Sequence, residues 1–133
     1  MAYVLDTSAV LAVLLAEPGY EKATELLAPA DSDGSQDILL PFMALMEIQY
    51  RLLRDLPPGE ALAAVRLVEA WPAKLVESNP LWRQRAAEVK SRGGLSVADA
   101  WIASLALLHD AELIHKDPEF DTVEGLRSHR LPD

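Results

Sequence analysis

Short apolar runs of strand character alternate with longer helical stretches along nearly the whole chain, and that alternation leaves few folds open. The spacing predicts strands over 3–5, 37–40, 74–77 and 112–115, and helices over 8–16, 20–28, 42–54, 59–70, 80–91 and 97–109. A final short strand is expected near 128–131. The fold class that follows is α/β, a parallel sheet flanked by helices. Local punctuation agrees: Thr7 or Ser8 offers a cap for the first helix, Pro18-Gly19 ends it, and Pro29 to Gly34 reads as a loop. Pro57-Pro58-Gly59 parts two helices into an αα-hairpin whose surplus of Leu and Val, with Trp71, hints at a dimer or protein partner.

Composition narrows the setting. A chain of 133 residues, half of them apolar and 25% charged, fits one globular domain over 1–133. It has no cysteine, which removes disulfides, zinc–thiolate sites and thiol catalysis. The start of the chain lacks a basic region, Asp6 cuts its apolar run, and the longest apolar stretch, Ala9 to Ala16, is too short to cross a bilayer. A cytoplasmic protein with no membrane partner is the expectation. A net charge of −9 opposes broad, sequence-independent binding to nucleic acid, which rests on many Lys and Arg contacts to phosphate. Between Leu81 and Val97 the sign reverses, through Arg83, Arg85, Lys90 and Arg92 against Glu88. That stretch is either a local basic groove or a solvated helix face.

Four acids fall where predicted elements begin or end. Asp6 closes the run Tyr3-Val4-Leu5, and Asp117 follows Leu113 to Lys116, so both sit at strand carboxyl ends, where open parallel sheets bind ligands. Glu47 lies in an apolar helical stretch, and Asp99 in the first turn after Ser96, in a capping box with Asp in the place of Glu. Each has an ordinary alternative: a turn or cap for Asp6, a surface pair with Arg51 for Glu47, the capping box for Asp99, and a turn for Asp117. Taken together they suit Mg2+ or Mn2+, which prefer oxygen ligands and keep several waters. Glu119 and Asp121 stand close enough to serve a second ion or simply to be solvated, and His115 belongs either to the core or to the pocket. Trp71, Trp82 and Trp101 read as packing residues. A phosphatase of haloacid dehalogenase type needs Asp-x-Asp, and Ser8 stands where its second acid belongs.

In order, Val4-Leu5-Asp6-Thr7-Ser8, Met46-Glu47, Leu95-Ser96-Val97-Ala98-Asp99-Ala100-Trp101-Ile102-Ala103 and Leu113 to Phe120 resemble the PIN-domain nucleases, VapC-type toxin ribonucleases most of all. The resemblance implies a three-layer PIN-like fold and an acidic pocket of Asp6, Glu47, Asp99 and Asp117 holding one or two Mg2+ or Mn2+ ions. It implies an endoribonuclease that cleaves RNA with a metal-bound water, partnered by a small antitoxin and forming a homodimer. Thr7 or Ser8 would orient the site. His115 departs from the family, which often carries Thr or Ser two residues before the fourth acid. A housekeeping nuclease without an antitoxin, or a non-catalytic protein-binding module using the acids as caps and ion-pair partners, are the rival readings.

Overall fold

The computed structural model describes residues 1–32 and 36–133. Five strands form one sheet in the order β3-β2-β1-β4-β5, all neighbours parallel: β1 (Ala2–Leu5), β2 (Asp37–Pro41), β3 (Lys74–Val76), β4 (Glu112–His115) and β5 (Ser128–Arg130). The chain builds outward from β1 to β2 and β3, then crosses back to place β4 on the other side of β1. The crevice beyond the carboxyl ends of β1 and β4 is therefore the topological switch point, the usual ligand position in such sheets.

Successive strand residues point to opposite faces, which separates two cores. Tyr3, Leu5, Ile38, Leu40 and Ile114 pack on one side against α1 (Thr7–Leu15), α2 (Tyr20–Ser32), α3 (Ala44–Leu52) and α4 (Pro58–Glu69). Val4, Leu39 and Leu113 pack on the other against α5 (Pro80–Ser91) and α6 (Val97–Leu108). The result is three layers with helices on both faces. Helices α3 and α4 form the expected hairpin, and Met46, Tyr50 and Leu53 on or just after α3, with Leu62 and Leu67 on α4, stay exposed.

Two local expectations are corrected. The cap of α1 is Asp6 rather than Thr7 or Ser8, its Oδ2 accepting the Ser8 amide at 3.4 Å, because Thr7 already has helical backbone and is buried. Helix α2 runs through Pro29 to Ser32 where a loop was expected, although a proline inside a helix ordinarily kinks or ends it. The rest of that expected loop, 33–34, lies outside the described residues.

The tryptophans pack as expected. Trp82 is 1% exposed, and its Nε1 donates to the Trp101 carbonyl at 2.9 Å and to Ser104 Oγ at 3.0 Å. Phe42, Trp82 and Trp101 meet edge-to-face with centroids 5.0 to 5.6 Å apart, locking α5 and α6 together over the sheet. Trp82→Ala should cost about 3 to 5 kcal/mol, read as a lowered midpoint in urea unfolding.

Candidate metal centre

At the carboxyl edge of the sheet lies an open cavity of about 490 Å³ whose wall includes Asp6, Glu47, Asp99 and Asp117. Four separate segments supply them: the ends of β1 and β4, and the first turns of α3 and α6. Three of the four commit one carboxylate oxygen to the wall. Asp6 Oδ2 accepts from Ser8 Oγ at 2.6 Å, Glu47 Oε1 accepts from Thr7 Oγ1 at 2.9 Å, and Asp117 Oδ1 accepts the Glu119 amide at 2.9 Å. Ser8 Oγ also accepts the Lys116 amide at 3.1 Å, so one hydroxyl ties the end of β1 to the end of β4.

Asp99 is different. The cap of α6 is Ser96, whose Oγ accepts the Asp99 amide at 3.1 Å, but the reciprocal bond from the Ser96 amide to the Asp99 carboxylate is absent among the described residues. Nor does Glu47 pair with Arg51; the ion pairs among the described residues are Arg85–Glu88, Lys116–Glu17 and Arg127–Asp110. The Glu47–Arg51 pair is thus not formed and the capping box at Asp99 is only half made, whereas Asp6 and Asp117 do act as caps, of α1 and of a 3-10 turn over Pro118–Thr122.

Crowding shows in the electrostatics. Burial raises the Asp6 carboxyl above its ordinary range, against the pull of its hydrogen bonds from Ser8 and Thr7. Asp99 is raised from 3.8 to about 6, first by burial and then by the charges of Asp6 and Asp117. Such repulsion is what a divalent cation relieves, and the donors are all carboxylate oxygens of the hard type that Mg2+ and Mn2+ accept. The donor set therefore fits such an ion.

Carboxylate oxygens of Asp99, Asp117 and Glu119 come within 4.8 Å of one another, close enough for one cation. Glu119 is thus nearer the centre than its place in an exposed turn suggested; its signal was the short spacing from Asp117, which a 3-10 turn folds back. Asp6 and Glu47 line the cavity but lie outside that group of three. Arg51 and Lys116 line it as well. Arg51 was legible in principle, being one helical turn beyond Glu47 on the same face. The four basic residues of the Leu81–Val97 stretch do not border this cavity. Arg83 and Lys90 edge a groove between α5 and α6, Arg85 pairs with Glu88 at 3.1 Å, and Arg92 borders a separate hollow beside Thr122. His115 belongs to the core, and burial lowers its pKa despite the nearby charges of Asp6, Asp121 and Asp117.

The raised Asp99 value has a signed consequence. A carboxyl that titrates higher when folded favours the fold below its ordinary value of 3.8, and that contribution is lost as the pH rises through about 6. Without divalent cations, Asp99→Asn should stabilise the protein at pH 7.5 by about 1 kcal/mol after allowance for solvent screening, and the gain should vanish below pH 4. Thermal melts in chelator across that range check it.

The PIN domain family model matches residues 3–126. No curated protein matches the chain in sequence. Among solved structures it is similar to VapBC2 from Rickettsia felis bound to a DNA fragment from their promoter, with TM-score 0.79 and 20% identity over 99% of this chain and 100% of that one. VapBC-1 from nontypeable Haemophilus influenzae gives TM-score 0.75 and 20% identity over 98% of each chain. VapC20 from Mycobacterium tuberculosis, a Sarcin-Ricin loop cleaving toxin, gives TM-score 0.68 and 16% identity over 90% of this chain and 92% of that one. At these identities the likeness is one of fold. With a family match running from Tyr3 to Leu126 over a sheet of the matching kind, the chain belongs to the PIN domain family.

Proposed function

We propose that the chain is a Mg2+- or Mn2+-dependent endoribonuclease and the toxin of a toxin–antitoxin pair, hydrolysing RNA phosphodiesters to a 5'-phosphate and a 3'-hydroxyl. The observation that carries this reading is the convergence of Asp6, Glu47, Asp99 and Asp117 on one cavity at the switch point of the sheet. Membership of the PIN domain family and the fold shared with VapC20, a Sarcin-Ricin loop cleaving toxin, support it.

Asp99 and Asp117, with Glu119 at the rim, would hold one ion directly; Asp6 and Glu47 would bind it through water or hold a second. When bound, the ion supplies neutralisation of charge on a phosphoryl oxygen and acidification of water. The protein's own part is positioning. Ser8 and Thr7 fix the carboxylates of Asp6 and Glu47, and the open cavity admits a phosphodiester. Arg51 and Lys116 line the same cavity and would meet a substrate phosphate there, Lys116 being shared with Glu17 at 3.6 Å. The negative balance of the chain suits a basic partner such as an antitoxin, and the exposed apolar residues of α3 and α4 suit that partner or a second copy. The site of action in this reading is the cytoplasm; separately, no helix among the described residues is long and apolar enough to cross a membrane.

The caps formed by Asp6 and Asp117 are what a non-catalytic module would use those residues for, and one experiment separates the two. Purified Asp6→Asn and Asp117→Asn proteins should lose metal-dependent cleavage of structured RNAs while remaining folded; retained cleavage by both variants rejects the assignment. Mg2+ should also raise the melting temperature of the native protein, by the equivalent of about 2.7 kcal/mol at a hundredfold excess over its dissociation constant. A module with caps alone would not respond.

A further inference from the structure

His115 is fully buried at the end of β4, and the chemistry proposed above gives it no role. Its Nδ1 accepts the Asp117 amide at 3.1 Å, while Nε2 has no hydrogen-bond partner among the described residues. The ring meets Phe120 edge-to-face at 4.9 Å between centroids, and the His115 carbonyl accepts the Leu131 amide at 2.7 Å. A neutral ring that accepts at Nδ1 carries its proton on Nε2, so the arrangement buries a donor without a partner. That works against stability, and a strand position in a core is better served by Val or Ile. What those residues lack is an acceptor for the amide of Asp117.

That amide lies where the chain leaves the sheet in extended conformation, with φ −102° and ψ 118°, just before the 3-10 turn. Two hydrogen bonds then close on one residue. The His115 ring holds the Asp117 backbone, and the Glu119 amide holds Asp117 Oδ1, leaving the second oxygen without a partner among the described residues. Glu119 and Phe120 follow in the same turn, so the ring also sets where the Glu119 carboxylate begins.

We propose that His115 is a positioning residue that, by accepting the Asp117 amide at Nδ1, holds the carboxylates of Asp117 and Glu119 in range of Asp99 and so sets the affinity of that cluster for a divalent cation. This rests on the reading of Asp117 as a metal ligand. Groups that orient ligands are commonly worth ten- to a hundredfold in metal affinity.

Mn2+ titrations followed by electron paramagnetic resonance on the full chain test it without any RNA. His115→Phe keeps the volume and the contact with Phe120 but offers no acceptor, and should weaken Mn2+ binding about tenfold or more. His115→Asn loses the ring but keeps an acceptor at the Nδ1 position, and should bind within about threefold of the native protein even if it melts lower. A purely structural ring predicts the reverse order, with Phe harmless and Asn damaging, and that result overturns the proposal. Asp117→Asn separates the premise: if it binds Mn2+ as the native protein does, the ligand reading falls and this inference with it. If Asp117→Asn loses binding while His115→Phe does not, the inference alone fails. Should the Phe variant not fold, ring 15N spectra of the native protein decide with His115→Asn, since a proton on Nδ1 is incompatible with its accepting role.

Discussion

Because β1 and β4 run side by side in the same direction, their carboxyl ends emerge at one edge of the sheet, and the acids that follow them cannot avoid each other. Asp6 leaves β1 with its amide bonded to the Ile114 carbonyl of β4 at 3.0 Å, and Ser8 then bridges from Asp6 to the Lys116 amide. Backbone pairing and one hydroxyl thus bring together residues more than a hundred positions apart. Helices α3 and α6 only have to start near that edge for Glu47 and Asp99 to join.

Gathering negative charge in a half-buried cavity is unfavourable without compensation, and the distribution of donors shows how the fold tolerates it. Asp6, Glu47 and Asp117 each receive a hydrogen bond at the wall, while burial and the charges of Asp6 and Asp117 raise Asp99 to about 6 against the pull of its bond with Ser96. A stable protein with no need of the site would place a neutral side chain there. The charge repulsion at Asp99 is of the kind that a bound cation would relieve.

Much of the fold was legible because burial dictates period. β4, α5 and the start of α6 fall where the spacing of apolar residues put them, and Pro58, Asn79 and Ser96 mark helix starts by chemistry that is local to the chain. The misreadings also have local causes. Asp6 competed with Thr7 and Ser8 for the cap, and any of the three side chains has the right chemistry; the buried helical backbone at Thr7 decided it. Pro29 looked like a break, yet α2 runs on to Ser32.

The cavity was legible only in part. Each acid could be named from its place beside an apolar run, but its neighbours could not. Glu119 owes its nearness to Asp99 to a 3-10 turn, and the basic run from Arg83 to Arg92, though adjacent in sequence to Asp99, is carried by α5 away from the acids. The sequence by itself determined which segments become strands and helices and which residue types could hold a cation, since periodicity and side-chain chemistry are local properties. Only the tertiary structure decided which carboxylates meet, which cations face them, and that His115 spends an accepting nitrogen on Asp117, because those distances depend on strand order and on how far each helix start stands from the sheet edge.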